Sequence, residues 1–310
     1  MEKTDWSVNV GIDLARIERQ ARDIRQRCGP VLAVVKANAY GLGAQKVAEV
    51  LADVVDGFCV FSLCEAIAAK LPQITGKPIL ALRPSEDETA EDFVAARVRP
   101  GVWTAQQATR LRVARPVLCV DTGMQRFTCP AEDVEAVLAA GDCDEAFTHA
   151  VTIEQVRQLV SLLGGRGLRL HAAASALLDE PEARLDAVRP GMALYRGAAR
   201  VWARLVEVRD SHRPTGYSGF VVPRFGVIAC GYYHGLRLGP CVVNGVRRRI
   251  LEVGMQSAYV EIGPQDRAGE MVVLLGEGLS EADVANAWKT TEHEAMLRLV
   301  GLSRPSGAAG

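Results

Sequence analysis

The chain has no apolar run approaching the ~18 residues of a membrane-spanning helix. Its opening, MEKTDWSVNV, lacks the apolar core of a secretory signal. The eight cysteines, at 28, 59, 64, 119, 129, 143, 230 and 241, show no CxxC and no paired spacing, and are read as reduced thiols of a cytoplasmic protein. The five histidines are dispersed rather than spaced as ligands, so no metal site is expected. An excess of one charge is missing too: 36 Lys and Arg face 37 Asp and Glu, for a formal net charge of −1. Nothing in that balance recommends nucleic acid or a membrane as partner, and a small-molecule function is the default.

What the sequence does contain is a regular alternation of strand-like and helical segments. Apolar runs at 30–36, 57–62, 77–82, 98–104, 116–123, 145–150, 168–175 and 185–197 alternate with helical stretches such as LCEAIAAKL and AQQATRLRVA. Eight such strands fit a (β/α)8 barrel, although a doubly wound sheet has the same local pattern. Beyond Gly197 the chain turns to short strands split by Gly, Pro and Asn, with one late helix at 280–289, which reads as a mostly antiparallel domain. Residues 6–12 read as a short opening strand, Arg247, Arg248 and Arg249 as a solvated run without a role, and SRPSGAAG as a disordered tail.

One residue stands out within this pattern. Pro30 to Val35 has the Val and Leu density of a strand buried on both faces, and Gly41 and Gly43 break the run before a helix at 44–52. Lys36 closes the run, which places it at the carboxyl end of a parallel strand, where α/β proteins put their chemistry. Partial desolvation there lowers a lysine pKa and lets the amine form a Schiff base with an aldehyde. The plainer alternative is a strand-end lysine reaching for water.

The stretch AVVKANAYGLG (33–43) closely resembles AVVKADAYGHG, the pyridoxal-phosphate lysine motif of the alanine racemases. GIDLARI (11–17) resembles their EIDLDAL opening, RPGMALY (189–195) their RPGIALYG, and VDTGMQRF (120–127) their VDTGMGRLG. The resemblance favours the barrel and implies an α/β protein: a (β/α)8 barrel over 1–199 that binds pyridoxal 5'-phosphate, and a mostly antiparallel β domain over 200–310 with which residues 1–12 pair. It implies a homodimeric racemase whose two bases are Lys36 and, from the other subunit, Tyr217 in TGYSG. Tyr40, Ser175, Gly191, Met192 and His293 are the implied cofactor ligands beside Lys36, and Arg189 faces the pyridine nitrogen. A guanidinium stays protonated and cannot hand the ring a proton, which weakens electron withdrawal and suits simple proton exchange. Read without the family, a structural arginine paired with Asp186 is the plainer alternative. Arg126 is the implied fork for a substrate carboxylate, with Met255 and Gln256 beside the substrate, Tyr232 at the entrance, and His149 orienting the tyrosine base.

Several positions depart from the family pattern. Leu42 stands where the motif has histidine, Cys119 where a lysine braces the carboxylate-binding arginine, and Gln125 where a glycine precedes it. Ala174 replaces an asparagine, Gln256 an aspartate and His293 a phosphate-binding tyrosine. The lysine, the ring arginine and the tyrosine base remain. Alanine is therefore the leading substrate. The alternatives are a racemase, epimerase or other pyridoxal-phosphate enzyme for a specialised amino acid, and a non-catalytic homodimer that only holds the cofactor.

Overall fold

The computed structural model describes residues 8–302. The expected tail at 303–310 and the start of the strand expected at 6–12 lie outside the described residues. The chain divides into two compact units, Leu14–Tyr195 and a second made of Met1–Asp13 with Arg196–Gly310. The first strand, β1 (Asn9–Ile12), belongs to the second unit.

The larger unit is built on parallel strands β2 (Leu32–Val34), β3 (Gly57–Val60), β4 (Ile79–Ala81), β5 (Val98–Val102), β6 (Val117–Cys119), β7 (Glu145–Ala150) and β8 (Arg169–Ala173), each paired with the next. Single parallel bridges, His171 to Ala187 and Val31 to Val188, join the two sheet edges and close the barrel. The strand expected over 185–197 is thus reduced to two residues. Pro190 accepts from the Val34 N–H at 3.0 Å but has no N–H to return, and the chain then turns into the helix Met192–Tyr195. Between strands run amphipathic helices: Leu14–Cys28 buries Ile17, Ala21, Ile24 and Cys28, a spacing that faces one side of a 3.6-residue helix. Each such buried Ile stabilises the unit by about 1.5–3 kcal/mol.

In the smaller unit, β9 (Ala199–Asp210), β10 (Arg224–Ile228), β11 (Pro240–Val243), β12 (Val246–Val253), β13 (Ala258–Glu261) and β14 (Met271–Leu275) are antiparallel neighbours in the order β9-β10-β13-β12-β11-β14. β14 pairs back onto β9, so these strands close into a second barrel, and β1 adds along residues 199–202 of β9. Asn244 and Gly245, both at positive φ, make the tight turn between β11 and β12. Two helices follow, Glu281–Trp288 and Glu292–Gly301, where the sequence suggested one; Thr291 caps the second by accepting from the Glu294 N–H. No helix among the described residues is long and apolar enough to cross a membrane.

Candidate functional site

Lys36 does not end the strand smoothly. β2 stops at Val34, and Ala37, Asn38, Ala39 and Tyr40 take φ values of 52° to 57°, a full turn of left-handed helix made without glycine. Such a conformation costs roughly 1–2 kcal/mol per residue, so it persists only where its polar groups are held. The Ala39 N–H donates to Val35 O at 2.8 Å, Gly41 N–H to Ala37 O at 2.9 Å, and Ala44 N–H to Asn38 Oδ1 at 2.8 Å. Glu65 supplies the remaining anchor, accepting from Ala37 N–H (2.9 Å) and Phe61 N–H (2.8 Å) with its two oxygens. One carboxylate thereby ties the residue after Lys36 to the end of β3. The Lys36 amine is half-buried and its pKa lowered, first by burial, then by the charges of Arg126 and Arg189, against the opposing pull of Glu65. Glu65→Gln leaves one of those N–H groups without an acceptor, facing an amide NH2, and removes a charge that favours the ammonium. It is expected to cost about 1–3 kcal/mol of stability and to drop the Lys36 pKa further, checked by thermal melting and by the pH dependence of Lys36 reductive methylation.

Arg189 follows the closing bridge and is 5% exposed. Its Nη1 donates to His171 Nδ1 at 2.5 Å and to His171 O at 3.1 Å, its Nη2 donates to Thr148 O at 2.5 Å, and its Cζ lies 4.6 Å from the Phe147 ring centroid. Asp186, the partner suggested by sequence, instead accepts from Leu170 N–H at 2.7 Å. Because arginine can only donate, His171 Nδ1 must accept, so the proton sits on Nε2 and is donated to Glu145 Oε1 at 2.8 Å. Burial holds His171 in that neutral form by pushing its pKa down to about 4, against the pull of Glu145. Glu145 is itself pushed up by burial, but the hydrogen bond from His171 and the charges of Arg99 and Arg169 leave it below the usual carboxylate range. Arg189 is therefore one end of a buried relay, Arg189 to His171 to Glu145. The sequence reading missed His171 and Glu145, although a charged residue and a histidine inside strand-like runs were the available signal.

Ser175 and the segment after Pro190 form a compact donor cluster. Gly191 N–H and Ala193 N–H both donate to Ser175 Oγ, at 3.0 and 3.1 Å. Both bonds orient the Ser175 hydroxyl from the same segment that carries Met192, which is buried at 1% exposure. Tyr40 packs against this segment with its ring 5.0 Å from that of Tyr195, and burial pushes its hydroxyl up to about 12. A Cβ on Gly191 would stand 2.2 Å from Tyr40 Oη. Gly191→Ala must therefore displace a buried tyrosine, with an expected loss of about 1–3 kcal/mol in a denaturant melt.

Arg126 is exposed in the loop after β6, where Asp121 Oδ1 accepts from Gly123 N–H (2.8 Å) and Gln125 N–H (3.1 Å). His149 is exposed near the end of β7. In the smaller unit, Tyr217 is 97% exposed at the tip of the loop between β9 and β10. Its backbone is held firmly: Glu252 accepts from Tyr217 N–H at 3.0 Å and Ser218 N–H at 2.6 Å. Burial pushes the Glu252 carboxyl up, but those bonds outweigh it and leave it below its ordinary range. Tyr232 and Met255, both exposed, sit on segments joined back to back, with Tyr232 N–H donating to Gly254 O and Tyr233 N–H to Met255 O, each at 2.9 Å. Gln256 is exposed beside Met255, and His293 lies in the first turn of Glu292–Gly301.

Residues 12–199 match the family model described as alanine racemase, N-terminal domain. The chain belongs to the alanine racemase family. The biosynthetic alanine racemase of Salmonella typhimurium is 31% identical over 87% of this chain and 89% of its own length. The crystal structure of the biosynthetic alanine racemase from Pseudomonas aeruginosa superposes with a TM-score of 0.83 at 26% identity, covering 94% of this chain and 97% of that one. The alanine racemase from Bartonella henselae, solved with covalently bound pyridoxal phosphate, shares the fold at a TM-score of 0.82 and 24% identity, covering 94% and 97% of the two chains. The alanine racemase domain match contains Lys36, Tyr40, Arg126, His149, Ser175, Arg189, Gly191 and Met192, and also Glu65, Glu145 and His171.

Proposed function

We propose that this chain is a pyridoxal-phosphate-dependent alanine racemase that interconverts L- and D-alanine as a homodimer, with Lys36 and Tyr217 of the partner subunit as its two bases. The observation that carries this reading is the half-buried Lys36 with its lowered pKa, set in one barrel with the buried Arg189. The Ser175 hydroxyl, whose oxygen accepts from Gly191 N–H and Ala193 N–H, is left to offer its own proton to a phosphate on the segment that carries Gly191 and Met192, and the glycine at 191 leaves the close approach that Tyr40 occupies. Pyridoxal phosphate, when bound, supplies an aldehyde for the amine and a ring that draws negative charge away from the substrate Cα.

Each residue then has a definite task. Lys36 holds the aldehyde at rest and, as the free amine favoured by its lowered pKa, takes or returns a Cα proton on one face. Tyr217 does the same from the opposite face, its exposed ring carried on a backbone that Glu252 keeps in place. Arg189, kept cationic and oriented by His171, meets the ring nitrogen without giving it a proton. Arg126 offers its fork to the substrate carboxylate, Met255 and Gln256 flank the substrate, Tyr232 lines the entrance, His149 orients the tyrosine, and His293 reaches the phosphate. A second reading, an amino acid other than alanine, draws on Cys119, whose buried thiol is pushed up to about 12 and carries no charge where the family braces Arg126 with a lysine.

The deciding experiment is α-proton exchange in D2O over a panel of L- and D-amino acids with cofactor-loaded protein, followed by chiral analysis. Exchange with inversion, fastest on alanine, is the expected result. Faster turnover of another amino acid would give the second reading, and no exchange at all would overturn both.

A further inference from the structure

At one mouth of the smaller barrel, where β9 ends and β10 begins, lies a cavity of about 450 Å³. Barrel mouths are recurrent sites for small ligands. Three consecutive arginines enter β12 here, and strand alternation sends the middle one to the opposite side from its neighbours. Arg247 pairs with Asp283 at 2.7 Å and Arg249 with Glu261 at 2.9 Å. Arg248 lines the cavity, half-buried, and has no hydrogen-bond acceptor or ion-pair partner among the described residues. Its Nη2 lies 2.5 Å from where a Cβ on Gly263 would stand, so the guanidinium rests against bare backbone that only glycine leaves open.

The other charges on the walls are already engaged. Asp210 takes Arg224 Nη1 at 2.6 Å, and the carboxylate of Glu261 is held by Arg249. Arg224 gives Nη2 to Asp266 O at 3.2 Å, while its Nε, like that of Arg248, is buried without an acceptor among the described residues. Asp266, close to Arg248 across Gly263, turns its carboxylate to Asn244 Nδ2 (2.8 Å) and Gly263 N–H (2.6 Å). The Arg248 fork is therefore left without an acceptor among the described residues. A guanidinium cannot shed its proton to escape the cost of partial burial, and its planar fork matches a carboxylate. Val222, Pro223, Ile262 and Pro264 give the same cavity an apolar wall.

We propose that this barrel mouth binds a small branched-chain carboxylate, its two oxygens on Arg248 and its apolar end against that wall. The site involves none of the residues assigned to racemisation and stands independently of that reading. Both stems of the loop that carries Tyr217 line it, through Asp210 and His212 on one side and Val222 to Arg224 on the other. An occupant would therefore touch the tyrosine's own support.

The test is a titration of the full, cofactor-loaded protein with isovalerate at constant ionic strength, following arginine Nε–H resonances by 15N NMR. A saturable shift of the Arg248 resonance is expected. Arg248→Gln should weaken binding by about tenfold or more, the loss of a charge-assisted pair. Val222→Asp, which sets a carboxylate in the same cavity, should abolish binding even if Arg248→Gln folds poorly. A shift that never saturates, equal affinity in Val222→Asp, or saturation by inorganic phosphate in place of isovalerate would overturn the proposal.

Discussion

Lys36→Ala is expected to lose α-proton exchange by at least about 10⁴-fold on every amino acid, because one substitution removes both the cofactor anchor and a base. Borohydride reduction of the native protein should fix the cofactor on the tryptic peptide that contains Lys36, and the variant should show no labelled peptide. The variant should fold normally, since the left-handed turn begins after this residue and is anchored through Ala37, Asn38 and Ala39. Residual labelling elsewhere, or exchange within tenfold of the native rate, would mean that another amine carries the chemistry.

Tyr217→Phe has the second large effect, a loss of about 10²–10⁴-fold in racemisation. The tyrosine ring is 97% exposed on one protomer, so the substitution should leave the melting temperature of the subunit itself nearly unchanged. Proton exchange from the face served by Lys36 should survive, giving deuterium incorporation with retention. Mixing Lys36→Ala with Tyr217→Phe subunits provides a sharper readout. If the site is shared between two chains, each mixed dimer has one site with both defects and one with neither. Random reassortment should then restore on the order of a quarter of native activity. No recovery would place both bases on one chain.

The parts of this protein that were legible in sequence are those where local chemistry and global position agree. The Val and Leu run before Lys36, the glycines after it and the Asn244–Gly245 turn each state a backbone preference that the fold adopts. The strand expected over 185–197 misled because its apolar residues continue past Pro190, while the ladder needs an N–H that proline lacks. The turn through Ala37 to Tyr40 was illegible for a different reason: alanine and tyrosine have no preference for positive φ, and the conformation is imposed by bonds from distant residues such as Glu65. Glu145 and His171 were passed over because polar residues inside a strand read as solvated until the partner strand is known. The alternation rule already required one of Arg247, Arg248 and Arg249 to face inward, and the sequence reading did not apply it.

The narrow closure of the larger barrel has a kinetic meaning. Val31 and Val188 come from opposite ends of that unit, and contacts so distant in sequence are slow to form because the loop entropy must be spent before they return anything. With only a two-residue strand to hold it, this joint is the natural last step of folding and the first place to open. Lys36 stands on one side of it, and Ser175, Arg189 and Gly191 on the other. A molecule gripped by both sides acts as a rivet across the joint, and by mass action its presence raises the free energy needed to open the ring. The same bound group that makes the chemistry possible would then also set the lifetime of the folded barrel, so a cell short of it would lose the protein itself as well as its activity.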